Sequence, residues 1–262
     1  MPNGIFKELS NINCVEAITL GGSRANKVYD ENSDYDVYVY CNAPIDTEIR
    51  KKILYQYCNV VEIGNHFWEY EDNCILNNGI AIDIIYRNLY DFCKDIENVV
   101  IHHQTANAYT TCMWHNLIHS NIIYDKNGLL KKAVEKFNIP YPQQLKKAII
   151  QKQLKLMDTA LPAYKTQIEK AIKRNDMVSI NHRVTEFLAS YFDFIFAVNE
   201  KTHTGEKRLI ELCKKNCSIL PQNFEQNLNL LFSHMYDTEK QFQVIDDINR
   251  IIVCAKQIVT IS

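Results

Sequence analysis

The sequence predicts an α+β protein in two parts: a mixed sheet with flanking helices over residues 1–100, then an all-α helical bundle over 101–262. Short apolar runs rich in Val, Ile and Tyr recur early, at Val15 to Leu20, Tyr35 to Tyr40 and Ile80 to Tyr86, with turn residues between them. From about residue 100 the texture changes to long segments at helical spacing with few glycines, the mark of a second, helical domain. A chain of 262 residues, 47% hydrophobic and 23% charged, is long and apolar enough to bury a core in each part.

In chain order, Ile5 to Asn13 reads as a leading helix and Val15 to Leu20 as the first strand. Tyr29 to Ser33 is loop, and Tyr35 to Tyr40 the second strand. Asp46 to Tyr57 is a helix capped by Asp46 or Thr47, with Ile49, Ile53, Leu54 and Tyr57 as its inward stripe. Val60 to Ile63 and His66 to Tyr70 read as a hairpin around Gly64-Asn65, with Glu62, Glu69, Glu71 and Asp72 as surface carboxylates, one of them near any site. Ile80 to Tyr86 leads into a helix over Leu89 to Ile96. Farther on, Pro140 and Pro142 precede a helix opening near Gln143, and Pro162 starts or kinks the next. Asp176 to Asn199 is the clearest helix, with Met177, Ile180, Val184, Phe187, Leu188, Tyr191, Phe194, Ile195 and Val198 at three and four spacing. The tail from Met235 to Val259 is amphipathic through Phe242, Ile245, Ile248, Ile252 and Ala255.

No apolar run reaches eighteen residues, and Met1-Pro2-Asn3-Gly4 does not open a signal peptide, so a cytoplasmic protein with no membrane partner is expected. The nine cysteines form no Cys-x-x-Cys pair and signal neither a zinc site nor a disulfide framework; Cys213 and Cys217 read as two thiols on one helix face. His115 and His119 stand one helical turn apart but lack the acid and third ligand of a zinc site. Net charge is −2, unevenly spread: residues 1–105 hold 8 Lys and Arg against 16 Asp and Glu, residues 106–262 hold 21 against 15. An acidic first half attracts a cationic substrate and disfavours nucleic acid.

The chemistry concentrates in Leu20-Gly21-Gly22-Ser23-Arg24-Ala25 and Ser33-Asp34-Tyr35-Asp36. Two adjacent glycines in a chain with seven mark a close backbone approach. After a strand, the Gly-Gly-Ser turn directs N–H groups and the Ser23 hydroxyl at an anion such as phosphate, with Arg24 adding charge. Asp34 and Asp36 share a strand face, so their carboxylates converge and call for a cation, and oxygen ligands suit Mg²⁺. Asp83, inside the apolar run Ile80-Ala81-Ile82-Asp83-Ile84-Ile85, needs a partner as well and completes the cage.

This pattern resembles the nucleotidyltransferase superfamily of DNA polymerase beta, in its small bacterial, antibiotic-adenylylating branch with a helical second half. The resemblance covers roughly the first hundred residues. It implies a catalytic domain over 1–100 and a helical, substrate-binding domain over 101–262 that completes the cleft. It further implies Asp34, Asp36 and Asp83 as catalytic metal ligands, Gly21, Gly22, Ser23 and Arg24 as the nucleotide-binding turn, and two Mg²⁺ ions about 3.5 to 4 Å apart. The reaction implied is transfer of a nucleoside monophosphate, AMP from ATP, to a hydroxyl of a small-molecule acceptor such as an aminoglycoside or lincosamide antibiotic. Asp83 then either ligates the metal or takes the hydroxyl proton, with Glu62 and Glu69 as weaker candidates for the base. Arg24 and Arg87 are candidates for phosphate contact, Arg87 equally for a pair with a nearby acid. The alternatives are a protein adenylyltransferase of toxin–antitoxin type and a non-catalytic nucleotide-binding module, and the apolar tail would permit a homodimer.

Overall fold

A computed structural model describes residues 2–22, 33–67, 69–237 and 239–261. The chain forms two compact units, Met1–Glu97 with Asn116–Ile139, and Asn98–His115 with Pro140–Ser262. The elements begin with α1 (Asn3–Ser10), β1 (Val15–Leu20), β2 (Tyr35–Cys41), α2 (Thr47–Leu54), β3 (Cys58–Asn65), β4 (Glu71–Leu76) and β5 (Ala81–Arg87). They continue with α3 (Leu89–Val100), α4 (Cys112–His119), β6 (Asn121–Asp125) and α5 (Leu129–Phe137).

The six strands form one mixed sheet in the order β3-β4-β5-β2-β1-β6, with every neighbouring pair antiparallel except β2 and β5. Strand alternation sorts the side chains. Tyr35, Val37 and Val39 of β2 and Ile82 and Ile84 of β5 pack with Ile5, Phe6 and Leu9 of α1 and Ile53 and Leu54 of α2 in one buried cluster. Each such side chain stabilises the fold by about 1.5–3 kcal/mol through burial. The alternate residues, Asp36, Tyr38, Asp83, Ile85 and Arg87, belong to the other face.

Three local expectations are corrected. The partner of β3 is not His66 to Tyr70 but β4, Glu71–Leu76. Its Glu-Asp-Asn start looks like loop, yet Asp72 is fully buried, because Arg50 of α2 makes an ion pair with it from within the core. The same pair corrects the stripe of α2: Arg50 is 1% exposed, whereas Ile49 is 46% exposed. The Asp46 cap holds, with Oδ1 accepting from the Glu48 and Ile49 amides at 2.8 and 3.3 Å. Finally, the sheet takes in β6, a short half-buried edge strand on β1 whose five residues are too few to show a period.

The second unit contains α6 (Gln143–Leu154), a π-helical turn at Lys155–Thr159, α7 (Tyr164–Lys173), α8 (Met177–Val198), α9 (Leu209–Asn216) and α10 (Phe224–Met235). A 3₁₀ turn at Gln241–Gln243 then leads into α11 (Val244–Ile261). α8 is the helix its periodicity predicts: Asp176 caps it, accepting from the Ser179 amide at 3.1 Å, and Ile180, Val184, Phe187, Tyr191, Phe194 and Val198 are buried. From Ser190 to Val198 every residue is buried, Asp193 included. The Asp193 carboxylate accepts from the Thr110 amide (3.0 Å), the Thr110 hydroxyl (2.7 Å) and Gln153 Nε2 (2.8 Å). Burial nevertheless pushes its carboxyl up to about 6. His203, between Tyr109 and Phe196 with both ring centroids at 4.8 Å, is pushed by burial down to about 4. The tail buries Ile248, Ile252 and Ala255 as expected, but Phe242 lies in the 3₁₀ turn, off the helix period, and is exposed. Cys213 and Cys217 are both buried, and all nine cysteines are free thiols. Among the described residues no helix is long and apolar enough to cross a membrane.

Candidate active site

β1 delivers the chain to Gly21 and Gly22, which run against β2. The Gly21 amide donates to the Asp36 carbonyl at 2.8 Å. A methyl group on Gly21 would strike the Tyr38 ring, and one on Gly22, which has φ +60°, would strike the Asp36 carboxylate. The pair of glycines is therefore required here by close approach and, at Gly22, by backbone conformation. Ser23 and Arg24, the other two residues of the expected nucleotide-binding turn, lie outside the described residues.

The acids converge through register. On the parallel pair β2 and β5, Asp36 stands directly opposite Asp83, and Asp34 immediately precedes β2. One carboxylate oxygen from each of Asp34, Asp36 and Asp83 lies within 4.8 Å of the others, and all three side chains are half-buried. At an effective dielectric of about 20, two ionised carboxylates at such a separation repel by roughly 3 kcal/mol. Three acid oxygens and no nitrogen or sulfur form a donor set for a hard divalent cation such as Mg²⁺, and the residues fit that ion. Among the described residues no other group of His, Cys, Asp and Glu is suited to a metal. His115, for its part, pairs through Nδ1 with the Thr202 hydroxyl at 2.7 Å.

A cavity of about 570 Å³ opens beside the triad, lined by Asp36, Asp83, Glu62, Glu69, Glu71, Asn65, Asn73, Phe67 and Ile85. Among these described residues five of the nine are acids, and none is Lys or Arg. Burial, and then the charges of Asp83 and Glu69, raise the Glu71 carboxyl above its usual range, against a lowering hydrogen bond from Asn73. Arg87 is spent elsewhere: it grips Glu69 with Nε and Nη2 at 2.8 and 2.5 Å, donates to Asn116 Oδ1 at 3.0 Å and lies 4.1 Å over the Tyr38 ring. The pair with an acid, one of its two expected roles, is present and ties Glu69 in place.

Asn73 escapes the sequence reading, which has Asn65 only as a turn residue and Glu71 only as one of four carboxylates with one near any site. The signal for Asn73 was available only once β4 was placed, because its importance is its register opposite Asp83. There Asn73 Nδ2 donates to Asp83 Oδ1 at 2.8 Å.

The glycine pair thus crowds one strand, and the acids stand in register across that strand and its parallel neighbour. Residues 3–105 match the nucleotidyltransferase domain model, so the chain carries a nucleotidyltransferase domain over that stretch. Residues 109–207 match a domain of unknown function, DUF4037. No curated protein matches the chain. Solved structures similar to it include a nucleotidyltransferase-like protein from Exiguobacterium sibiricum, at 11% identity, TM-score 0.44 and coverage of 98% of this chain and 73% of the other. An aminoglycoside 6-adenyltransferase from Bacillus subtilis aligns at 11% identity, TM-score 0.35 and coverage of 98% and 88%. The Thermotoga maritima CCA-adding enzyme, solved with tRNA, aligns at 12%, TM-score 0.26 and coverage of 97% and 76%. Likeness at this distance assigns no substrate.

Proposed function

We propose that the protein is a Mg²⁺-dependent nucleotidyltransferase that moves AMP from ATP to a hydroxyl of a small polycationic acceptor of the aminoglycoside kind. The observation that carries this reading is the convergence of Asp34, Asp36 and Asp83 beside a glycine turn that leaves no room for a side chain. The three carboxylates would hold two Mg²⁺ ions, which when bound neutralise charge on the α-phosphate and the leaving pyrophosphate. Gly21 and Gly22, with Ser23 and Arg24, would seat the triphosphate. The acceptor oxygen forms a bond to the α-phosphorus, the bond to the β-phosphate bridging oxygen breaks, and pyrophosphate carries the electron pair away. The hydroxyl proton passes to a carboxylate of the cavity wall, with Glu62 and Glu69 as the candidates that leave Asp83 to the metal. The acid-lined cavity supports a cationic acceptor, since each ammonium group entering it relieves repulsion among Glu62, Glu69 and Glu71.

The test is pyrophosphate release from each nucleoside triphosphate with Mg²⁺, with and without a panel of aminoglycosides and lincosamides. Release is expected to need ATP and one polycationic acceptor, and to fall about 10²–10³-fold in Asp36→Asn. No release with any acceptor, while ATP and Mg²⁺ still raise the melting temperature, would remove the small-molecule acceptor and leave nucleotide binding standing.

A further inference from the structure

We infer that Asn73 is a positioning residue that sets the orientation of the Asp83 carboxylate toward the divalent cation, and that Asn65 locks Asn73 in the orientation this needs. This role presupposes the metal-dependent transfer proposed above.

Four side chains stand in one row across four strands: Glu62 of β3 pairs with Asn73 of β4, Asn73 with Asp83 of β5, and Asp83 with Asp36 of β2. Three are acids, and like charges directly opposite on a sheet destabilise it. The one neutral member, Asn73, separates Glu62 from Asp83. Its Nδ2 donates to Asp83 Oδ1 at 2.8 Å, and its Oδ1 accepts from Asn65 Nδ2 at 2.6 Å. The same Asn65 nitrogen donates to Glu62 Oε2 at 3.2 Å, so its two hydrogens serve two acceptors. Both ends of this chain are carboxylates, which when ionised only accept. That fixes the direction of both amides, since a reversed Asn73 would put its carbonyl against Asp83.

The consequence is geometric. The terminal torsion of an aspartate is broad and two-fold, so a bare carboxylate rotates between orientations of similar energy. A donor held on Oδ1 from the neighbouring strand removes that freedom and reserves the other oxygen for the cation. Partners that orient a ligand in this way typically change metal affinity by about 10–100-fold.

The experiment is Mn²⁺ binding by the full chain, followed by electron paramagnetic resonance, with a thermal melt of each variant. Asn73→Ala should weaken Mn²⁺ binding about tenfold. Asn65→Asp separates orientation from charge. It is close to isosteric and adds a negative charge near the site, which by charge alone would tighten Mn²⁺ binding. Through the amide chain it does the reverse, because Asn73 turns its NH₂ toward the new carboxylate and its carbonyl toward Asp83. Weaker binding in Asn65→Asp with an unchanged melt supports the role; equal or tighter binding overturns it, as does unchanged binding in Asn73→Ala. Wild-type protein that binds Mn²⁺ no better than Asp36→Asn would overturn the metal reading itself, and this role with it.

Discussion

Asp72 and Asp83 stand on adjacent strands one position out of register, and so on opposite faces of one sheet. Asp72 is fully buried and saturated: Arg50 makes an ion pair with it, the Tyr86 hydroxyl donates to Oδ2 at 2.8 Å, and the Gly64 amide donates to Oδ1 at 2.8 Å. Arg50 in turn lies 5.0 Å from the Tyr70 and Tyr86 ring centroids. Asp83 is half-buried and receives one neutral amide, and among the described residues two further aspartates bring carboxylate oxygens within 4.8 Å of its own. A carboxylate given a cation and a full set of donors is part of the scaffold. One placed among like charges keeps an electrostatic demand that a bound cation would meet, and such a demand marks a candidate site.

Breaking the saturated member has the largest expected effect on stability. Arg50→Ala leaves Asp72 buried without its cation and should cost about 3–5 kcal/mol in a urea melt. Replacing both partners, Arg50→Met with Asp72→Leu, should recover most of that loss; a small loss in the single variant would mean Asp72 does not depend on Arg50.

A third buried acid sharpens the comparison, because Asp193 has donors but, among the described residues, no ion-paired cation. Its folded value of about 6 against an ordinary 3.8 means that its stabilising contribution is full below pH 3.8 and is lost as pH rises through 6. His203 works the other way: with about 4 in place of 6.5, its contribution is present above pH 6.5 and is lost as pH falls through 4. Each amounts to about 3 kcal/mol at 1.36 kcal/mol per pH unit, so between pH 4 and 6 the two largely cancel. Relative to wild type, Asp193→Asn should gain stability as pH rises from 4 to 6, and His203→Asn should gain as pH falls from 6.5 to 4. Urea midpoints across pH 4–7 check both, and a difference that stays flat with pH would refute the corresponding shift.

The smallest of these effects lies at the open end of the site. Gly22→Ala pushes a methyl into the Asp36 carboxylate and should lower nucleotidyl transfer about 100-fold, the scale of an ångström-sized misplacement of a catalytic group. The melting temperature should fall only slightly. Activity within a factor of about two of wild type would show that the turn relaxes freely.

Local order made much of this legible in advance. Period two through Asp34 into β2 places Asp34 and Asp36 together, and an acid inside the apolar run of β5 has no cheap alternative to a site. The three-and-four spacing of α8, with Asp176 as its cap, needed nothing beyond the helix itself. What escaped were residues whose meaning depends on partners far along the chain. Glu71-Asp72-Asn73 looks like a loop until Arg50, 22 residues earlier, neutralises the middle residue from beneath the sheet.

Residue type and periodicity along the chain were therefore enough to name the acids and the glycine turn, because steric and charge requirements of neighbouring residues act locally. Packing of the whole sheet settled which strands lie side by side and in what register. A shift of β4 by one residue would exchange Asp72 and Asn73, sending the charged group to the site and the amide to the core. That choice is made by the burial of Arg50 and Ile84 on one face together with the demands of Asp83 on the other, and no single stretch of sequence contains both.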